Sequence, residues 1–188
     1  EQGHSATVSV LLDAKASIEY RDRKNKTPLY VAVEAGQSAV VRVLTAAKAD
    51  LTVDDGCSQS LLHTAAFEGH SATAQVLIDA KVPVNIKDGS STTPLHYAAL
   101  RGYVSLLQLL LDSGALIDVE DRFSRTPLHV AAKSGNHSLV HVLIDAKACL
   151  RCKDHRGLTP LHMAAEESHS SSRDGHQVTV STTHSAVV

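Results

Sequence analysis

Short apolar stretches alternate with polar segments along this chain, and the alternation repeats every 33 residues. Leu29, Leu62, Leu95, Leu128 and Leu161 recur at that interval, followed in the same frame by Ala32, Ala65, Ala98, Ala131 and Ala164. Asp22, Asp55, Asp88, Asp121 and Asp154 precede them, each followed five residues later by a hydroxyl: Thr27, Ser60, Thr93, Thr126 and Thr159. Gly36, Gly69, Gly102 and Gly135 close the frame. One period earlier stands Gly3, so the chain opens partway through a unit, and one period later Ser168 breaks the rule.

Within a unit the pattern predicts two short helices. A hydroxyl followed by proline is a helix start, because the side chain caps unpaired backbone N–H groups and proline lacks one that would be wasted. From Pro28 the first helix reaches about Ala35 and stops before Gly36; the second carries Val40, Val41, Val43 and Leu44 on an apolar stripe and ends about Ala47. Alanine at the recurrent position lets neighbouring helices approach closely. A run such as Ala49-Asp50-Leu51-Thr52-Val53, then polar residues near Asp55, has the composition of an extended arm and a turn. One helix pair leaves apolar sides bare, so stability must come from stacking units.

The segments Thr27-Pro28-Leu29-Tyr30-Val31-Ala32, Thr93-Pro94-Leu95-His96-Tyr97-Ala98, Thr126-Pro127-Leu128-His129-Val130-Ala131 and Thr159-Pro160-Leu161-His162-Met163-Ala164 resemble the ankyrin repeat motif, with Ser60-Leu61-Leu62-His63-Thr64-Ala65 as a proline-less variant. The resemblance spans about residues 3 to 169 and implies an all-α repeat solenoid, helix-turn-helix plus a β-hairpin loop, of about five 33-residue units. The frame divides the chain into a partial repeat over 1–21, repeats over 22–54, 55–87, 88–120 and 121–153, a truncated fifth over 154–170 and an irregular tail over 171–188. From Val178 onward the tail lacks helical periodicity and is expected to be flexible or weakly extended.

The resemblance also implies a binding scaffold that uses hairpin tips and the ends of first helices on a concave face. Here these are Arg23, Lys24, Asn25 and Lys26, then Gly56, Cys57 and Ser58, then Gly89 to Thr92, then Arg122, Phe123 and Arg125, then His155 and Arg156; the helix ends carry Glu34, Phe67, Leu100 with Arg101, Lys133 and Glu166. Both phenylalanines of the chain occupy these variable slots, and aromatic and arginine side chains dominate interface energetics. Asn85, eight residues after Leu77, resembles the position that an asparaginyl hydroxylase modifies in such repeats, although Pro83 stands where an acidic residue is preferred.

Lys15, Lys48, Lys81 and Lys147 follow the second helices where the family usually has glycine, and only Gly114 keeps it. That position takes a left-handed conformation, at a cost of about 1 kcal/mol for a residue with a Cβ; a cation at a helix C-terminus offsets part of it.

Composition removes several alternatives. Lysine and arginine total 18 against 20 acidic residues, so no basic field draws nucleic acid or anionic lipid. No apolar run is long enough for a membrane helix. Of the 12 histidines, His63, His96, His129 and His162 fill the fourth motif position, where the resemblance implies hydrogen bonds to the motif hydroxyl and nearby backbone. Strung one per repeat, they do not converge on a metal. Cys149-Leu150-Arg151-Cys152 lacks a fourth zinc ligand, and in an extended arm its sulfurs would point to opposite faces, so free thiols are expected. No nucleophile has a base, and no cofactor is implied.

The expectation is therefore a non-enzymatic scaffold for a protein partner, monomeric, cytoplasmic or nuclear, and part of a larger protein. The alternative is a structural spacer within a longer solenoid of a channel, kinase or adaptor.

Overall fold

The computed structural model describes residues 2–53 and 59–170, with side chains described over 4–53 and 59–166. Asp55, the tip residues Gly56, Cys57 and Ser58, and the tail from 171 onward lie outside the described residues. The described residues form ten helices: α1 (Gln2–Asp13), α2 (Pro28–Glu34), α3 (Ser38–Ala46), α4 (Leu61–Glu68), α5 (Ser71–Asp79), α6 (Pro94–Arg101), α7 (Val104–Asp112), α8 (Pro127–Lys133), α9 (His137–Asp145) and α10 (Pro160–Ser170).

They stack in two rows. Helices α2, α4, α6, α8 and α10 pack in succession, α1, α3, α5, α7 and α9 form the second row, and each of α2, α4, α6 and α8 also packs on the helix that follows it. Ala65, Ala98 and Ala131 are fully buried between the rows, with Leu62, Leu95 and Leu128 beside them. Leu161 holds the same place in the frame yet is 77% exposed, because no described helix packs over α10 on that side. Gly69 is fixed by close approach: a Cβ there would lie 2.5 Å from the Tyr103 ring.

The helix starts link one repeat to the next. Thr27 accepts from the Tyr30 N–H at 3.2 Å. In the next three units the N–H of the cap residue (Ser60, Thr93, Thr126) donates to Nδ1 of His63, His96 or His129, at 3.1, 3.2 and 3.1 Å. The opposite nitrogen, Nε2, sits 3.0, 2.9 and 3.1 Å from the carbonyl oxygens of Thr92, Arg125 and Leu158. A nitrogen that accepts a backbone N–H holds no proton, so Nε2 carries it and donates to the following repeat. The three rings are therefore neutral structural links. Burial lowers the pKa of His96, against the raising effect of its bond to the Arg125 carbonyl.

The loops depart from expectation. Among the described residues there is no strand; each described tip is a tight turn closed by two main-chain bonds, as from the Asp121 N–H to the Arg125 carbonyl and from the Ser124 N–H to the Asp121 carbonyl, both at 3.0 Å. The periodic aspartates explain this. Oδ1 of Asp121 accepts the N–H groups of Phe123 and Arg125 at 2.8 and 2.9 Å, and Asp22, Asp88 and Asp154 repeat the arrangement. The carboxylate takes donors that a β-ladder would need. Burial alone would raise the Asp121 pKa, but the Arg125 side chain and these N–H groups hold it below the usual carboxylate value.

The cysteine expectation is corrected. Cys149 and Cys152 form a disulfide, with Cα atoms 5.6 Å apart. Leu150 and Arg151 form a turn rather than an extended arm, which returns the two side chains to the same side. The lysines behave as expected, with φ of 67° at Lys15, 64° at Lys48, 69° at Lys81 and 72° at Lys147.

Three measurements check this account. The Thr73 hydroxyl is fully buried without a hydrogen-bond partner among the described residues, in a slot that is Val40 and Leu106 in adjacent units; Thr73→Val is expected to raise stability by about 1 kcal/mol in thermal melts. Replacing Lys48 and Lys81 with glycine should raise the melting temperature by about 2 °C each, since nothing but the left-handed backbone disfavours a Cβ there; lower values would contradict the strain. For pH, the folded state binds His96 protons less tightly than the unfolded chain, so its contribution is full above the unfolded value of 6.5 and is lost as pH falls below it. Melting temperature should drop between pH 7 and pH 5, and the drop should be smaller in His96→Gln.

Candidate functional site

The first-row helices and the loop tips border a groove along repeats three to five. Its first hollow, about 270 Å³, is lined by Tyr97, Leu100, Arg122, Phe123, Arg125 and Val130 among others. A second, about 310 Å³, shares Leu100, Arg125 and Val130 and adds Lys133 and Met163. A third, about 330 Å³, runs from Phe123 and Lys133 to His155, Arg156 and Glu166.

The motif explains which residues reach the groove. The helix starts hold His96 and His129 inward, so the next residue, Tyr97 or Val130, faces the groove, Met163 takes the same place in the fifth unit, and Leu100, Lys133 and Glu166 follow three residues later on the same helix face. Leu100 is 52% exposed, a large apolar side chain held in the middle of the groove.

Around it, cations lie on aromatic faces. The Arg122 and Arg125 guanidiniums stand 4.6 and 5.0 Å from the Phe123 ring centroid, and His155 packs against the same ring at 5.4 Å. Arg101 stands 4.6 Å from the Phe67 centroid while its Nε donates to the Phe67 carbonyl at 3.1 Å, and Tyr97 meets Phe67 edge-on at 5.8 Å. Tyr97 is itself fixed, its hydroxyl donating to Asp88 Oδ2 and accepting from Gln59 Nε2, both at 2.8 Å. These contacts hold the aromatic groups in place before any partner arrives.

Charge is partly compensated inside the groove. Arg125 pairs with Asp121 at 2.6 Å, and Arg156 pairs with Glu166 at 2.9 Å and with Asp154 at 3.5 Å. Arg122 makes no ion pair among the described residues, and Lys133 is exposed.

Of the residues expected from the sequence, Leu100, Arg122, Phe123, Arg125, Lys133 and Arg156 come together here, with Phe67 and Arg101 adjoining through Tyr97 and Leu100. Arg23, Lys24, Lys26 and Glu34 lie at the other end of the stack. Lys26 and Glu34 satisfy each other at 2.6 Å, with the ammonium 5.0 Å from the Tyr30 ring centroid. Asn85 is outside the groove: its Nδ2 donates to the Gly114 carbonyl at 3.0 Å and its Oδ1 accepts the Leu116 N–H at 2.7 Å, which fastens two neighbouring arms.

Tyr97, Val130 and Met163 were missed in the sequence reading. Their signal was present, since the fifth motif position reads Val31, Thr64, Tyr97, Val130 and Met163 while its neighbours hardly change. Among the described residues no three His, Cys, Asp or Glu side chains converge on a metal-sized site, and no helix is long and apolar enough to cross a membrane.

A search of the curated proteins found no match to the chain. Two family models do match: ankyrin repeats (3 copies) over residues 105–173 and ankyrin repeats (many copies) over residues 62–111. Ankyrin repeats generally serve as protein-interaction modules, and with 62–173 matched and the same frame visible upstream, this chain belongs to the ankyrin repeat family.

Proposed function

We propose that this array is a non-enzymatic recognition scaffold whose groove across repeats three to five receives an extended protein segment with an apolar anchor flanked by carboxylates. The observation that carries this reading is Leu100, 52% exposed between preorganised Phe67 and Phe123, with the Arg101, Arg122 and Arg125 guanidiniums stacked on those rings. A guanidinium already lying on a ring loses little freedom when a carboxylate arrives, and the ring beside it offers apolar area. Arg23, Lys24, Lys26 and Glu34 take part only if the partner runs the full length of the stack. The array acts as a monomer in the cytoplasm or nucleus, within a larger protein and without nucleic acid; an intracellular setting then requires a reversible Cys149–Cys152 bond.

A second reading, a spacer within a longer solenoid of a channel, kinase or adaptor, is favoured by the apolar hollows at the two ends of the stack. One is lined by Val8, Tyr20, Val31, Val40 and Leu44, the other by Val140, Ile144, Leu150, Leu161 and Ala164.

Crosslinking and affinity capture with Phe67, Leu100, Arg122 and Phe123 each changed to alanine separates the two. The recognition reading expects loss of one or more specific partners, with affinity for a captured partner falling at least about tenfold per substitution at Phe123 or Leu100, and weakening as salt rises. Partner lists unchanged by all four substitutions would leave the spacer reading.

A further inference from the structure

We infer that Cys149 and Cys152 form a reversible thiol–disulfide site that exchanges with low-molecular-weight disulfides, with Cys152 as the attacking thiolate and Cys149 as the resolving thiol. Three observations combine. The turn at Leu150 and Arg151 already brings the two Cα atoms to 5.6 Å, within the ordinary range for a bridge, so oxidation and reduction need no rearrangement of the backbone. The bridge closes a loop with a sequence separation of only 3. So short a loop restricts the unfolded chain little, and folding therefore resists reduction less than it would for a bridge between distant residues.

The surroundings favour reactivity and distinguish the two sulfurs. Both cysteines are half-buried at the surface, between exposed Leu150 and Arg151 and exposed Lys147 and Lys153. Cys152 lies between Arg151 and Lys153 in sequence, and cations favour the thiolate. Asp154, two residues on, is occupied by Arg156 at 3.5 Å and by the N–H groups of Arg156 and Leu158. Cys149 has a carboxylate beside it instead, its N–H donating to Asp118 Oδ1 at 2.9 Å, which disfavours a second negative charge.

The chemistry balances with glutathione disulfide as oxidant. The Cys152 thiolate attacks one sulfur of glutathione disulfide, forming a mixed disulfide and expelling one glutathione thiolate. The Cys149 thiolate then attacks the Cys152 sulfur, the Cys149–Cys152 bond forms, and the second glutathione leaves. Two electrons pass from the protein thiols to glutathione disulfide, and the two thiol protons end on the departing glutathiones.

The experiment uses the full chain in a Cys57→Ser background, equilibrated in glutathione buffers, quenched with acid and alkylated for mass spectrometry. The expected result is a transition from thiols to disulfide over about a hundredfold change in the ratio of glutathione disulfide to squared glutathione, as a two-electron exchange requires. Circular dichroism and melting temperature should stay nearly the same on both sides. A bridge that survives millimolar reduced glutathione, thiols that survive excess glutathione disulfide, or unfolding on reduction would each overturn the proposal. To assign the roles, Cys149→Ser should form the mixed glutathione disulfide several-fold faster than Cys152→Ser. Equal rates, or the reverse order, would overturn the assignment of Cys152.

Discussion

The stack depends on a neutral imidazole held between two repeats. His63, His96 and His129 each accept the N–H that opens their own helix and, from the other side of the ring, donate to the carbonyl just before the next repeat's hydroxyl. One side chain therefore sets both where a helix begins and how far the next unit is displaced. The first described unit has Tyr30 in that slot, and the Thr64 hydroxyl reaches its phenol at 3.3 Å, so a different group makes the link. Because neutral imidazole both accepts and donates, the link is directional, and the Nε2 tautomer in each ring follows from where the backbone N–H lies.

That displacement builds the groove. With the histidine turned inward, the next residue along the helix and the one three further on must face the other way. The loop tips are closed by aspartates and joined to one another, the Arg122 N–H donating to the Ser90 carbonyl and the His155 N–H to the Phe123 carbonyl, both at 3.0 Å. Phe123 is therefore placed by the backbone of neighbouring tips as well as by its own turn, and it can carry two guanidiniums without collapsing onto the helices. The arms on the far side are fastened by side chains instead, by Glu19 to the Asp50 N–H, Asn85 to the Leu116 N–H and Asp118 to the Cys149 N–H. The arms thus use a side-chain oxygen, and the tips a single main-chain bond between neighbours, where a sheet would use a facing strand.

Much of this was legible in the residues. Threonine before proline, glycine after the first helix and alanine at the packing position are choices that helix ends and close helix approach force on a chain, so they show wherever the unit repeats. The helices over Pro28–Glu34 and Ser38–Ala46 end within a residue of where the pattern places them. The left-handed lysines were legible for the same reason, since a local backbone requirement stays at its place in the frame. Less was visible where an outcome depends on which groups compete for one donor. The aspartates at the tips marked the period, yet their capture of the N–H groups, which replaces the expected β-hairpin, appears only once the turn is built.

The sequence alone determined the family, the period, the helix starts and stops and the hydrogen-bonding role of the histidines, because each follows from interactions within one unit or between identical neighbours. Only the tertiary structure decided which variable residues meet. It separated Lys26 and Glu34, which neutralise each other at one end, from Leu100, Arg122 and Phe123, which line a single groove. It also showed that Cys149 and Cys152 are joined, since the direction of a side chain three residues away depends on whether the intervening backbone turns or extends.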